Sequence, residues 1–506
     1  MTQVLWILLT LQLALGAFDI VYHHELTEHL AWRPSQRREL QLHGVRNLAY
    51  AVLFAALGWS RPYGLAAVCL IGLMAAELIV TLWDFVEEDR SRRLPPSERV
   101  THALLALNYG ALLLVIVPMF ARQASAPTAI LPAYHGLWSW ACAAASLGVI
   151  LFGLRDLGAA ARLGRTPKDQ PSRLATALGQ RRSVLITGGT GFVGSRLVEA
   201  LAAAGHEITV LTRSPHKAKA ALPPVRMVSS LDEIVASERI DAIVNLAGEP
   251  ISDGLWTARK RRRILRSRLE VTREIGRLIR RLRSAPDVLV SGSAVGWYGL
   301  RDDEPLSESA GFSDCFSHQL CQRWERAALK AAGANVRLVR LRIGLVLAAE
   351  GGVLSRMLTP FDFGLGCRFG SGRQWMSWIH RDDLVRLIIH AIACPYLSGR
   401  LNATAPEAVT NGEFTAALGK ALHRPAFISI PARGLRMALG SMAEEVLLGG
   451  QRVGPARAMT SGFRFTYPRL EDALAAIAPP AHERRRQGSQ AHAPGSPPDP
   501  AVGQAA

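Results

Sequence analysis

The hydrophobic pattern divides the chain into two parts. Long apolar runs crowd into the first 155 residues, whereas short apolar runs alternate with amphipathic stretches from residue 183 onward. A membrane-crossing helix needs about 20 mostly apolar residues, and five stretches approach that length. They cover residues 4–22, 45–59, 65–83, 103–120 and 137–154, of which the second is short. We therefore predict an all-α transmembrane helix bundle over residues 1–155.

Basic residues in the connections between these apolar stretches lie mainly on one side of the predicted membrane. Connections on that side carry Arg33, Arg37, Arg38, Arg90, Arg92, Arg93, Arg99, Arg155, Arg162, Arg165 and Lys168, and those on the other side carry Arg61 and Arg122. Positively charged loops remain in the cytoplasm during insertion. The pattern predicts a multi-pass protein of the inner or plasma membrane, with its N-terminus outside and everything after the fifth span cytoplasmic.

Ionisable side chains gather at the predicted cytoplasmic ends of these spans. Such residues are costly inside a bilayer and often mark functional sites. Histidines and carboxylates from several helices are also how bundles hold metal ions, so a metal, haem or quinone site is one interpretation. The other is simple pairing with neighbouring arginines. The candidate metal ligands are His23, His43, Glu77, Asp84 and His102.

Residues 156–182 have no long apolar face and predict a linker. A different pattern then begins: residues 183–187 form a short buried strand, a glycine-rich run follows at once, and residues 195–204 have helical periodicity before a strand at 207–211. This order predicts a doubly wound α/β Rossmann fold whose loop approaches a dinucleotide pyrophosphate. The predicted cofactor-binding residues of the loop are Thr187, Gly188, Gly189, Thr190, Gly191, Phe192, Val193 and Gly194.

The residue after the second strand indicates which dinucleotide binds. NAD-binding folds commonly place an acid there to hold the ribose hydroxyls. Here the strand is followed by Thr212 and Arg213, with Lys217 nearby and no acid. We therefore predict NADP(H) as the cofactor, with Arg213 reading the 2′-phosphate, although a solvated arginine is the simpler alternative.

Composition further restricts which partners and metal sites the chain can have. Hydrophobic residues make up 49% of 506 residues, and the formal net charge is +18. The arginine clusters lack the aromatic interleaving or recognition helix typical of nucleic-acid binding, so we expect contact with anionic lipid and no nucleic acid. The six cysteines have no paired spacing, which suggests neither a disulfide framework nor a cysteine zinc site.

Residues 183 to about 475 resemble the extended short-chain dehydrogenase/reductase superfamily, and more closely its "epimerase family" of NAD(P)-binding proteins. The resemblance rests on the glycine loop and on residues 245–250 (Asn-Leu-Ala-Gly-Glu-Pro), 291–299 and 374–383. Residues 425–478 resemble the small terminal domain of that group. The resemblance implies that a substrate lobe completes the domain over 183–424, that Ser293 donates a hydrogen bond to a substrate oxygen, and that a second segment flanks the cofactor. That segment is Asn245, Leu246, Ala247 and Gly248.

The superfamily's acid/base pair, a tyrosine followed four residues later by a lysine, is missing from the following helix. Its positions fall near Ser317 and Cys321, and neither side chain reproduces a phenol beside an ammonium. Tyr298 is a substitute proton donor, and we expect His318 to lie at the surface. Residues 479–506 are rich in Pro, Ala and Gln and predict a disordered tail.

Three functions fit these observations. The first is a membrane-anchored oxidoreductase or epimerase-like protein that transfers hydride from NADP(H) to an unknown small-molecule carbonyl, or in reverse from an alcohol. The second, motivated by the missing Tyr/Lys pair, is a non-catalytic NADPH-binding sensor or scaffold. The third is electron transfer from NADPH to a metal or haem held by the histidines of the membrane domain.

Overall fold

A computed structural model describes residues 3–92, 94–164 and 170–478 of the chain. The predicted disordered tail, Arg93, Arg165 and Lys168 lie outside these residues. The N-terminal part is an up-and-down bundle of five helices. They are α1 (Gln3–Phe18), which continues as a π-helical segment (Asp19–Glu28), α2 (Arg37–Trp59), α3 (Leu65–Ser91), α4 (Pro96–Ala124) and α5 (Leu137–Leu163).

At one end of the bundle, strands β1 (Ser60–Tyr63) and β2 (Ala129–Pro132) form an antiparallel pair. Small residues allow α2 and α5 to approach closely: a Cβ on Gly58 would stand 2.5 Å from Cys142 Cβ, and one on Gly44 would stand 2.6 Å from Leu157 Cγ. Because the end of α2 meets the start of α5 and the start of α2 meets the end of α5, the two helices run antiparallel along most of their length.

Four of the five helices are long and apolar enough to cross a membrane, whereas the pattern predicted five spans. The exception is α2, which begins Arg-Arg-Glu and carries His43 and Arg46 in its first half. Those charges interrupt the apolar window that a spanning helix needs. Its apolar second half still packs inside the bundle, where Leu53, Phe54 and Leu57 join the bundle core.

The strands described in the second part are β3 (Ser183–Thr187), β4 (Glu207–Leu211), β5 (Arg226–Val228), β6 (Ala242–Asn245), β7 (Val288–Ala294), β8 (Pro305–Leu306), β9 (Arg337–Ile343), β10 (Leu345–Ala348), β11 (Cys367–Phe369), β12 (Trp375–Met376), β13 (Trp378–His380), β14 (Gly399–Ala403), β15 (Val409–Thr410), β16 (Ile428–Ile430) and β17 (Arg452–Val453). Seven of them form a fully parallel sheet of order β5-β4-β3-β6-β7-β9-β14. This is the order of a doubly wound dinucleotide-binding fold with one added edge strand.

Alternate residues of the sheet face two separate cores. Val184 and Ile186 of β3 pack on one side, and Leu185 packs on the other. Because both faces are covered, the central strands β3 and β6 are mainly apolar along their length. The helices of this part are α6 (Phe192–Ala203), α7 (Pro215–Ala218), α8 (Ala258–Arg281), α9 (Phe316–Ala332), α10 (Gly352–Asp362), α11 (Arg381–Ala393), α12 (Asn411–Leu422), α13 (Ala432–Leu439), α14 (Ala456–Thr460) and α15 (Leu470–Ile477).

A smaller α+β lobe follows the sheet, built from two-stranded pairs and the helices α10 and α12. The C-terminal residues are not a separate layer: β17 pairs with β8, and α15 packs on α12. Leu470 and Leu474 of α15 share one core with Phe414 and Leu418 of α12.

The bundle is docked on this lobe through α10. Arg155 of α5 donates to Asp362 Oδ2 at 3.0 Å and pairs with Glu25, while Trp32 packs in one apolar core with Leu358 and Phe361. The predicted linker is wrong in its first eight residues, because α5 continues to Leu163. Ala159 and Ala160 are buried against the lobe, so this stretch is helical although it lacks a long apolar run.

Candidate functional site

The glycine loop joins β3 to α6 at the carboxyl edge of the sheet. Gly188 has φ +74°, and a Cβ on it would stand 2.8 Å from the backbone nitrogen of Ala247. A Cβ on Gly194 would stand 2.1 Å from the Gly188 carbonyl oxygen. Helix α6 begins at Phe192, earlier than the predicted residue 195. Its N-cap residue is Gly191, which has no side chain to cap the amides of the first turn. The amides of the first turn are therefore left for an anion.

A buried chain of hydrogen bonds holds the two central strand ends together beneath this loop. Thr187 Oγ1 donates to Asn245 Oδ1 at 2.7 Å, Asn245 Nδ2 donates to Thr272 Oγ1 at 3.0 Å, and Thr272 donates to the Arg268 carbonyl. Thr187, Asn245 and Thr272 are fully buried. Their side chains therefore support the loop from inside the fold, and the backbone of Leu246, Ala247 and Gly248 forms the opposite wall.

The end of β4 carries exposed cations. Arg213 and Lys217 are both exposed, and among the hydrogen bonds and ion pairs of the described residues none involves either side chain. The strand end itself is ordered, because the Thr212 amide donates to the Val228 carbonyl at 3.0 Å. An unpaired guanidinium at this edge is available to a phosphate.

Ser293 lies on β7 in a buried ionic network. Its hydroxyl donates to Glu325 Oε1 at 3.0 Å, and Arg342 Nε donates to the same oxygen at 2.9 Å. Arg342 is fully buried and its guanidinium carbon lies 3.5 Å from the Trp297 ring centroid. Glu325, which sequence reasoning did not single out, orients the serine. Its position on α9, one helical turn after Cys321, is the sequence feature that could have indicated this role.

Tyr298 does not fit the predicted role of proton donor. The side chain is fully buried, its hydroxyl donates to Asn402 Oδ1 at 2.7 Å, and burial raises the pKa of the phenol above its usual range. It packs in a closed core with Leu306 and Val453. The tyrosine thus joins the turn after β7 to β14 and the C-terminal segment, a long-range contact that proximity in sequence could not reveal.

The helix that carries the superfamily acid/base positions offers no replacement. Ser317 Oγ donates to Glu445 at 2.7 Å, and burial raises the pKa of the Cys321 thiol to about 11. His318 was expected at the surface but is buried, stacked on Phe312 at 3.8 Å and hydrogen-bonded to the Trp297 carbonyl at 2.5 Å. Its apolar surroundings come from Phe312 in the loop just before α9 and from Trp297 in the turn after β7.

The ionisable residues of the bundle assemble at the end that packs on α10. Helices α2, α3 and α4 and the π-helical segment contribute to a buried set that we call the His–carboxylate cluster. It consists of Asp19, His24, His43, Glu88, Glu98 and His102.

Only two of the five predicted metal ligands, His43 and His102, belong to this cluster. His23 hydrogen-bonds Asp19 and Ser97 instead, and Glu77 accepts from Thr81 at 2.7 Å, outside the cluster. Asp84 borders it, 3.0 Å from His43 Nε2. The predicted contact of Asp19 with His23 is present, and π-helical winding also brings residue i+5, His24, to Asp19. Glu98 was missed because it lies between two of the predicted spans.

Comparison with known proteins places the sheet and its lobe among relatives. Residues 184–400 match the NAD dependent epimerase/dehydratase family, and residues 430–477 match a domain of unknown function (DUF1731). The epimerase family protein SDR39U1 homolog, chloroplastic, of Arabidopsis thaliana is 41% identical over 306 residues, which cover 58% of this chain and 86% of that protein. Epimerase family protein YfhF of Bacillus subtilis is 37% identical and 97% covered.

Solved structures show the same similarity. The crystal structure of human epimerase family protein SDR39U1 with NADPH matches with a TM-score of 0.54 and 36% identity, covering 58% of this chain and 99% of that one. A nucleoside-diphosphate sugar epimerase from Corynebacterium glutamicum matches with a TM-score of 0.50 and 28% identity, covering 67% of this chain and 66% of that one.

Proposed function

Since this chain belongs to the NAD dependent epimerase/dehydratase family, we propose that its sheet domain binds NADP(H) and acts as an oxidoreductase or epimerase-like enzyme on a carbonyl or alcohol substrate. The observation that carries the proposal is the glycine loop, where Gly188 and Gly194 leave no room for a Cβ and the first turn of α6 presents its amides. The human relative crystallised with NADPH supports the choice of cofactor.

The residues present fit this cofactor. Thr187, Gly188 and Gly194 shape the turn that a diphosphate needs, Ala247 and Gly248 bound the other side, and Arg213 is free to meet a 2′-phosphate. Dinucleotide folds that prefer NAD place an acid where this chain has Arg213. Bound nicotinamide would supply the hydride chemistry.

Ser293 is the residue that we propose for hydrogen bonding to the substrate oxygen. The Ser293 hydroxyl has a single proton, which it donates in a hydrogen bond to Glu325, and Glu325 is itself held by Arg342. When substrate binds, the hydroxyl would rotate away from Glu325 to donate to the substrate oxygen. Ser293 would orient the reacting carbonyl, while Thr187 and Asn245 keep the loop and the strand ends in register.

Membrane anchoring is part of the same proposal. Four helices have the length and apolarity to cross a bilayer, and the docked sheet domain sits at the end of the bundle that carries Arg92, Arg155 and Arg162. Positively charged ends remain cytoplasmic. This orientation, with the sheet domain in the cytoplasm of a cell with an inner or plasma membrane, would give the domain access to NADPH.

Isothermal titration calorimetry on the full chain in lipid nanodiscs tests the nucleotide proposal. We expect saturable heat with NADPH and affinity at least about tenfold weaker for NADH, because one charge-assisted phosphate contact contributes roughly 1.5–3 kcal/mol. Absence of heat with both nucleotides, on protein that remains monodisperse, would refute nucleotide binding.

A second function has its own support. Ser317 and Cys321 stand at the superfamily acid/base positions, and both are occupied by other contacts or buried. The lobe is also tied to the bundle through Arg155 and Asp362. A non-catalytic NADPH sensor that passes cofactor binding to the bundle would bind NADPH without oxidising it against a broad panel of aldehydes, ketones and nucleotide sugars, whereas turnover of any of them would exclude it.

A further inference from the structure

The His–carboxylate cluster has the composition and geometry of a metal centre. We propose that it binds a divalent transition-metal ion of the iron, manganese or zinc class, with Asp19, His24, Glu98 and His102 as its ligands. Imidazole nitrogens and carboxylate oxygens together suit these ions. The proposal is independent of nucleotide binding, because it rests on residues of the bundle alone.

Distances between the donor atoms match those around one ion. Ligands about 2.1 Å from a tetrahedral ion stand about 3.4 Å from one another. In the cluster, Asp19 Oδ2 lies 3.4 Å from His24 Nε2 and 3.2 Å from His102 Nε2, and His24 Nε2 lies 3.6 Å from Glu98 Oε1. All four donor atoms fall within 4.8 Å of one another. One ion can therefore be placed among them with little movement of the side chains.

Several donor atoms of the cluster lack a hydrogen bond that would occupy them. His24 Nε2 is buried without a hydrogen bond of good geometry, and so are His43 Nε2 and both oxygens of Glu88, whose contacts are ion pairs such as the 3.0 Å approach of His43 Nε2 to Asp84 Oδ2. The side chains expose only 5%, 2% and 1% of their surface. A buried polar atom without a partner costs free energy, and an ion bound between these atoms would remove that cost.

Charge balance also calls for a cation. Five buried carboxylates meet at this end of the bundle with two guanidinium groups: Arg46 pairs with Asp84, and Arg92 pairs with Glu39 and Glu98. The carboxylates therefore outnumber the guanidinium groups that pair with them, and a divalent ion would offset part of this excess of negative charge.

The surroundings provide a second ion position and access for a small ligand. His24, His43 and Glu88 form an overlapping donor set, and the Glu88 carboxylate lies between His43 Nε2 at 3.5 Å and His102 Nδ1 at 3.3 Å. A carboxylate between two donor sets can bridge two ions. A cavity of about 470 Å³, lined mainly by apolar side chains, reaches Asp19 and His102.

Metal analysis of the full chain tests the proposal. The protein is purified in detergent through an affinity tag that uses no metal, and its metal content is measured by mass spectrometry. We expect roughly one or two equivalents of iron, manganese or zinc per chain. Protein stripped with chelator and titrated with Co²⁺ should develop visible d–d absorption bands of an ion held by nitrogen and oxygen ligands.

Matched variants locate the ion. Glu98→Gln and His102→Gln remove one ligand each and should lower the Co²⁺ affinity at least about tenfold. Glu77→Gln changes a buried carboxylate of α3 outside the cluster and should leave it unchanged. Wild-type protein with less than about 0.1 equivalent of metal and no Co²⁺ bands, a haem chromophore in place of an ion, or equal losses in all three variants would overturn the proposal. If a variant fails to fold, the Co²⁺ titration of the wild-type protein alone decides the test.

Discussion

The hydroxyl of Thr187 donates a 2.7 Å hydrogen bond to the side-chain oxygen of Asn245, and this contact joins the ends of the two central strands directly beneath the glycine loop. Both residues are fully buried, and Asn245 passes the connection on to Thr272 of α8. The loop backbone is therefore positioned from the interior of the fold, while its outer face stays open.

Replacing Asn245 by alanine should destabilise the sheet domain by about 1–3 kcal/mol, because the buried hydroxyls of Thr187 and Thr272 lose their partner. Thermal unfolding followed by circular dichroism measures the effect. Thr187→Ser keeps the donor and is the control, with an expected loss below that of Asn245→Ala. Equal losses would show that packing volume, and not the hydrogen bond, holds the strand ends.

Gly194→Ala should abolish nucleotide binding or weaken it more than about tenfold. The added Cβ would stand 2.1 Å from the Gly188 carbonyl oxygen, and relieving such a clash requires a backbone shift that costs roughly 1–3 kcal/mol. Calorimetry with NADPH measures the loss. Gly179→Ala is the matched control, since a Cβ there meets no atom within 4 Å. Unchanged affinity in Gly194→Ala would place the nucleotide elsewhere.

Arg213→Ala should weaken NADPH binding by about 10- to 100-fold and leave NADH binding nearly unchanged, because only NADPH carries the 2′-phosphate that a charge-assisted hydrogen bond would hold. Titration of both nucleotides measures the ratio. Lys330→Ala removes a positive charge from the exposed end of α9 and controls for net charge. A parallel loss for both nucleotides would show that Arg213 does not read the phosphate.

Glu325→Ala should destabilise the protein by about 3–5 kcal/mol, because it leaves the guanidinium of Arg342 buried without its partner. Urea unfolding measures the change. Glu270 forms an exposed pair with Arg266, and Glu270→Ala should cost less than about 1 kcal/mol. Similar values for the two variants would mean that water reaches the Arg342 site.

Protonation of His380 should destabilise the lobe as the pH falls. Burial lowers the pKa of His380 below its usual range, and Nδ1 accepts the backbone amide of Asp382 at 3.2 Å. The unfolded chain takes up a proton near pH 6.5 while the folded one does not, so stability is complete above that pH and is lost below it, by at most about 1.36 kcal/mol per pH unit.

His380→Asn retains an acceptor at the start of α11 without a titrating group. Unfolding free energies measured between pH 7.5 and 5 should therefore decline less steeply in this variant than in the wild type. An unchanged slope would assign the pH dependence to other histidines, of which the half-buried His206 and His390 also have pKa values lowered by partial burial.

Local pattern was enough to predict the strand–loop–helix unit at residue 183, and the resemblance of short motifs to a known family indicated the family relationship. These depend on short-range features: apolar length, the alternation of buried strands and the glycines of one tight turn. Chain segments of this kind keep their conformation in many tertiary contexts. The extent of α5 was missed, because residues 156–163 are helical through contacts with a lobe nearly 200 positions away.

The contents of the sites were decided by tertiary structure. Tyr298 has a structural role because its hydroxyl hydrogen-bonds Asn402. His24, and not the predicted His23, belongs to the cluster because the segment winds as a π-helix. Glu98 and Glu325 acquired their roles from residues on other elements. Spacing along one segment determines which side chains share a face, but only packing between segments determines what that face meets.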